Sequence, residues 1–329
     1  MHCKQAVTRR RALTICAVAG ATALMGSSRG QTKIPALEWR GRALGGPAHI
    51  AIRHHDEAAA RKLVGFCVGE IERLERIFSL YRSDSEILRL NREGRLDDPS
   101  HDFRLLLGEA QRYGNLSGGA FDVTVQPLWR LYSGYFATRP GASEGPAPKE
   151  IERATALVDY RAIDLDNGRA ILGRPGMEIT LNGMAQGYIT DRVADMLRDA
   201  GMTNVLVDMG EIRALDGGTW EIGVRDPRRP GHMVKDLSIT GSAVATSAGS
   251  GSRFDKSGRF HHLFDPTTGR CASRCLSATA IAPTAVEADA LATALAVTPV
   301  QQSESLVQAF RGRRAIMVMA DGQIVEAGV

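Results

Sequence analysis

The sequence predicts an α+β fold. Helical and strand-like patterns both occur, but they do not alternate as regular βαβ units. Two long stretches carry helical periodicity, residues 56–78 and the alanine-rich run 285–297. The chain closes on two apolar runs, 314–319 and 323–325, around Asp321-Gly322, which reads as a hairpin. No internal repeat is visible.

The elements follow in order. Residues 47–54 (PAHIAIRH) alternate apolar and polar and read as a strand. In 56–78, Leu63, Val64, Phe66, Cys67, Ile71, Leu74 and Phe78 recur at helical spacing. Ser83 and Ser85 precede a short helix at 86–91, and 103–115 reads as another helix. Residues 139–149, rich in Pro, Gly, Ala and Ser, read as a surface loop. Short strands are expected at 162–165 and 170–172, then a helix at 188–200 stopped by Gly201. Further strands are expected at 205–207, 220–224, 237–240 and 278–281.

Composition narrows the function classes. The 329 residues are 43% hydrophobic and 24% charged, globular values that exclude a disordered, collagenous or multi-span membrane chain. The formal charge of +4 is concentrated at the start: Lys4, Arg9, Arg10, Arg11 and Arg29 have no acid among them through residue 30. Without those five charges the remainder carries −1, which argues against a nucleic-acid binder. Arg9-Arg10-Arg11 stand before a mildly apolar run, ICAVAGATALMG, too short to span a membrane. This pattern resembles a twin-arginine export signal over 1–30, with a Sec signal as the alternative; either directs the protein to the periplasm. The mature domain is then expected over 40–329, not as an integral membrane protein. Cys271 and Cys275 are spaced for one bridge in an oxidising compartment, while Cys67 is left over.

The sequence has no GxxxxGK[ST], HExxH, GxSxG or CxxC motif. Four segments instead place polar, small and aromatic residues together: Tyr81 to Glu86, Gly119 to Pro127, Thr180 to Tyr188, and His261 to Gly269 followed by Glu287 to Thr293. In this order and spacing they resemble the FAD:protein FMN transferase (ApbE) family over roughly residues 44–325. The Thr180-Leu-Asn-Gly-Met-Ala-Gln-Gly-Tyr188 and Thr124-Val-Gln-Pro-Leu-Trp129 versions are similar to its NosX-type branch, associated with nitrous oxide respiration.

The resemblance implies an α+β fold of mixed and antiparallel sheets with packed helices and a cofactor cleft between sub-domains. It implies cleavage of FAD and transfer of FMN to a threonine of an acceptor flavoprotein through a phosphoester, with AMP released. On the NosX reading that acceptor is the membrane-bound electron donor to nitrous oxide reductase. Asp289 and Thr293 share one face of a predicted helix and offer hard oxygens suited to Mg²⁺. A main-chain carbonyl near Gly183 is implied as third ligand. His262 matches the family's histidine and suits a general base, with Asp265 orienting it or holding the turn at Pro266. Leu44, Tyr81, Ala120, Phe121, Asp122, Thr180, Gln186 and Phe264 match cofactor-contacting positions. Bland readings stand beside these: Asp289 as a helix cap or Arg partner, His262 as a surface histidine, and Phe264 as core. Glu211 matches a frequent motif and reads as structural or as supporting the site residues from behind.

The chain departs from the commonest pattern in places. Thr180 and Gln186 stand where many members have an aspartate and a lysine, a neutral pair in place of a charged one. Leu44-Gly45-Gly46 replaces Met-Gly-Thr. Thr246 to Ser250 replaces a more polar and aromatic stretch. Two alternatives to transfer are a metal-dependent FAD pyrophosphatase and a non-catalytic FAD-binding protein.

Overall fold

The computed structural model describes residues 36–312 and 314–328; the expected export signal, with Cys3 and Cys16, lies outside the described residues. The first hairpin is β1 (Ala36–Ala43) and β2 (Gly46–Arg53), so the first strand begins ahead of the expected boundary at 40. Leu44 and Gly45 connect them with φ of 47° and 80°. Two left-handed residues match the twist of a tight hairpin, and glycine supplies one of them without strain.

Helix α1 (Glu57–Phe78) starts where the Asp56 side chain accepts from the Ala59 amide. It buries Ala60, Val64, Cys67, Ile71, Leu74, Ile77 and Phe78; of the expected stripe, Leu63 is half-buried and Phe66 is exposed. Helix α2 (Glu86–Glu93) is capped by Ser85 and stopped by left-handed Gly94. Then come β3 (Arg95–Asp97) and α3 (His101–Leu116), the latter capped by Ser100. Helices α4 (Gln126–Thr138) and α5 (Pro148–Thr155) follow. The expected loop therefore ends where Pro148 opens α5, as proline does at the first turn of a helix. Beyond them lie β4 (Ile163–Leu165), β5 (Arg169–Leu172), α6 (Ala185–Asp199), β6 (Val205–Asp208) and β7 (Ile212–Ala214). The chain ends through β8 (Trp220–Arg225), β9 (Met233–Ile239), β10 (Ser242–Ala248), β11 (Cys275–Ala282), α7 (Ala285–Val297), α8 (Ser303–Ala309), β12 (Arg314–Met319) and β13 (Ile324–Ala327).

Eight strands form the main sheet in the order β1-β2-β6-β7-β10-β11-β12-β13; β3-β5-β4 and β8-β9 form two small sheets. The pairings among the described strands are antiparallel, so the fold is α+β. One face of the main sheet joins the large core with residues of α1, α3, α6 and α7. The other face meets the β8–β9 hairpin through Trp220, Ile222, Val224, Leu237 and Ile239. A third cluster joins α4, α5 and Phe264. Cys271 and Cys275 are free thiols, donating to the carbonyls of His261 and Ser277. The bridge allowed by their spacing is therefore absent: Cys271 belongs to the loop bridge with Phe264, and Cys275 opens β11. Among the described residues no helix is long and apolar enough to cross a membrane.

Candidate active site

The site grows from the segment that leads into α6. The Thr180 amide donates to the Val123 carbonyl at 2.7 Å, tying this segment to the Phe121 loop. A side chain at Gly183 would lie 3.2 Å from Thr293 Oγ1 and 3.4 Å from Phe121 Cε2. Glycine thus brings the 183 backbone, Phe121 and Thr293 together. Thr293 Oγ1 also meets Ser247 Oγ of β10 at 3.1 Å. One turn earlier on α7, Asp289 is buried and its Oδ2 accepts from the Gly187 amide at 3.3 Å. A Cβ at Gly187 would sit 2.5 Å from the Ala285 carbonyl oxygen, so only glycine lets α6 and α7 approach this closely. Gly183, Asp289 and Thr293, expected as metal ligands, therefore stand at one α6–α7 junction.

Buried carboxyl groups crowd this junction. Burial pushes the Asp289 carboxyl well above its ordinary range, against one long bond from Gly187. Glu211, just ahead of β7, is also buried, and its Oε2 has no hydrogen-bond partner. Burial, then the charges of Asp289 and Asp208, push Glu211 well up. Burial likewise raises Asp208 to about 6. Among the described residues no group of three His, Cys, Asp or Glu is arranged to hold a metal. The donor set is instead mixed: one carboxylate, one hydroxyl and a main-chain carbonyl. These are hard oxygens that suit Mg²⁺, whose other positions go to water or phosphate. The sequence motif points to Glu211 as a structural or supporting residue, but not to its unpartnered Oε2.

The remaining expected residues separate by role. The Gln186 amide donates to the Met209 carbonyl at 3.0 Å and packs against Gly46 and Gly210. Leu44 is buried at the tip of the first hairpin, and its amide donates to Glu75 at 2.6 Å. Tyr81, just past α1, is 58% exposed. Ala120 is half-buried. Asp122, expected as a cofactor contact, is engaged within the chain. Its Oδ1 accepts from the Thr124 amide and hydroxyl, and its Oδ2 accepts from the Tyr160 amide. It braces the loop that carries Phe121. Phe264, also expected as a cofactor contact, is 4% exposed and packs 5.1 Å from the Tyr132 ring.

The two adjacent histidines differ. His261 is buried, with Nε2 2.8 Å from the Ala272 carbonyl and Nδ1 accepting from the Leu263 amide. Burial lowers its pKa, and these bonds fix a neutral tautomer. His262 Nδ1 stands 3.2 Å from the Ser252 carbonyl, to which a protonated Nδ1 donates. Asp265 takes the turn role: its carboxylate accepts from the Thr267 amide, and its backbone closes on Arg270 and Gly269.

A family model described as "ApbE family" matches residues 44–318. The chain belongs to the ApbE family. An FAD:protein FMN transferase of Haemophilus influenzae is 32% identical over 67% of this chain and 67% of its own. One from Salmonella typhimurium is 28% identical over 94% of both chains. The crystal structure of the ApbE protein from Thermotoga maritima superposes with a TM-score of 0.78 at 27% identity, covering 89% of this chain and 97% of that one. The apo flavinyl transferase ApbE of Pseudomonas stutzeri gives 0.74 at 26%, covering 89% and 95%. Within this ApbE chain the Gln186 departure has a local cause. The neutral amide fills a slot between Gly46 and Gly210, where its Nε2 already lies 2.4 Å from a Cβ placed at Gly210.

Proposed function

We propose that the protein is a periplasmic, Mg²⁺-dependent FAD:protein FMN transferase. The observation that carries the reading is the convergence of Gly183, Asp289 and Thr293 beside Phe121, in a chain of a family whose relatives bear that name. A threonine hydroxyl of the acceptor attacks the FMN-side phosphorus of FAD. The P–O bond to the AMP side breaks, AMP leaves, and the hydroxyl proton passes to His262 Nε2. The divalent ion, when bound, neutralises charge on the pyrophosphate and the leaving group. Asp289, Thr293 and the Gly183 carbonyl hold it; Phe121, Tyr81, Leu44, Thr180 and Gln186 line the donor side. Asp122 acts by holding the Phe121 loop.

The NosX-like segments support an acceptor in nitrous oxide respiration, the membrane-bound flavoprotein that donates electrons to nitrous oxide reductase. The arginines at 9–11 support export by the twin-arginine pathway. The test is mass spectrometry of a threonine-containing acceptor domain incubated with the protein, FAD and Mg²⁺, with EDTA as control. One added FMN with stoichiometric AMP is expected, and Asp289→Ala abolishes both. AMP and free FMN without a modified acceptor would mark a pyrophosphatase, and intact FAD throughout a carrier.

A further inference from the structure

The α6–α7 junction has a second tie that the reaction itself does not use. Asp191, on α6, is 9% exposed. Its Oδ1 accepts from the Ala285 amide at 2.8 Å and its Oδ2 from the Val286 amide at 2.9 Å. The same Oδ1 accepts from Arg213 Nη1 at 2.8 Å, and both side chains of this ion pair are 12% exposed. Arg213 belongs to β7, two residues after Glu211. The neighbouring Thr190 hydroxyl donates to the Glu211 carbonyl at 3.1 Å.

Helix α7 does not need Asp191 to begin. Thr284 caps it in the ordinary way, its hydroxyl accepting from Glu287 and its carbonyl from Ala288. Asp191 takes the two remaining amides, so the four N–H groups of the first turn are satisfied, two of them by a different helix. The bond set therefore locks α6, β7 and α7 to one another. Gly183 and Gly187 stand at the start of α6, while Asp289 and Thr293 ride on α7. The offset between the two helices is the geometry of the ligand set, and Mg²⁺ tolerates little departure from octahedral bonds of about 2.1 Å.

We infer that Asp191 and Arg213 are positioning residues: together they set the height and rotation of α7, and so hold Asp289 and Thr293 in register with Gly183. The inference rests on the metal reading proposed above. A helix tie of this kind acts on metal affinity, not on the chemistry at phosphorus, and outer partners of ligands typically change affinity by about 10–100-fold.

The test measures Mn²⁺ binding to the full chain without FAD by electron paramagnetic resonance, and the metal-saturation curve of FMN transfer. In Asp191→Asn, Mn²⁺ affinity and the half-saturating Mg²⁺ concentration are expected to worsen by about tenfold or more, with kcat largely recovered at saturating metal. Arg213→Gln, which leaves the Asp191 cap in place, is expected to shift the same way and to carry the test if Asp191→Asn fails to fold. Arg213→Lys is expected to restore most of the affinity. An unchanged half-saturation with only a lower folded fraction would make the pair a fold brace and overturn the inference. No Mn²⁺ binding by the unaltered chain would overturn the metal reading and the inference together. Binding by the unaltered chain with equal affinity in Asp191→Asn and Arg213→Gln would overturn the inference alone.

Discussion

His262 and His261 share a backbone strip but not a chemistry. His261 has both ring nitrogens committed to backbone groups, whereas His262 is oriented through Nδ1 by Ser252. His262→Ala is therefore expected to lower FMN transfer by about 10²–10⁴-fold, the usual worth of general acid–base catalysis. FAD affinity, followed by flavin fluorescence, should change little; a near-normal transfer rate at neutral pH would remove the base role. Residue type and motif position were enough to single out Asp289, Thr293, Gly183 and Phe121. They do not show the contacts that Asp122 and Phe264 make within the chain, with Thr124, Tyr160 and Tyr132. An aspartate and a phenylalanine look the same in sequence whether they face a ligand or a neighbour.

Among the elements, α1, α3 and α6 meet around one buried carboxylate. The Tyr188 hydroxyl donates to Asp102 at 2.5 Å, and Arg73 pairs with Asp102 at 2.8 Å and with Glu70. Burial pushes the Asp102 carboxyl up, but the Tyr188 and Arg73 bonds outweigh it and hold it below its ordinary value. The folded carboxyl thus stays ionised to lower pH than the unfolded one. Its stabilisation is full above the ordinary aspartate value of 3.8 and disappears as pH falls through the lowered one. Asp102→Asn is expected to cost about 1–3 kcal/mol at neutral pH in urea unfolding, and the deficit should shrink in acid. An equal deficit at both pH values would contradict the linkage. Helix α1, with its cap and apolar stripe, and α7, rich in alanine and buried on nearly all sides, were legible from sequence. Strand β10 was not, because Ser-Ala-Val-Ala-Thr-Ser-Ala carries little hydrophobic signal and is a strand through burial between β7 and β11. Helix α4 escaped notice too, since its aromatic residues have weak helix propensity and it forms against Phe264 and α5.

Across the whole molecule, the main sheet separates two tasks. One face packs on α7 and α6, which present the ligand set; the opposite face is covered by the β8–β9 hairpin. Trp220 anchors that hairpin, 4% exposed, with the Arg53 guanidinium 4.0 Å from its ring centre. Trp220→Ala is expected to destabilise the protein by about 3–5 kcal/mol and to raise hydrogen exchange in β8 and β9 first. At temperatures where the variant remains folded, its metal half-saturation should match the unaltered chain. A shift there would show that the two faces are coupled.

Capping residues, apolar periodicity and motif spacing act over a few positions, so the chain alone carried the α+β class, most helices and the family's candidate ligands. The working arrangement needed the tertiary structure. Gly187 meets Asp289 across 102 positions, Asp191 meets Ala285 across 94, and Arg213 meets Asp191 across 22. Such contacts depend on how sheet and helices pack. Burial is decided by that packing as well, and it turns Glu211 from a motif letter into a buried carboxylate, one oxygen of which has no hydrogen-bond partner, close to Asp289.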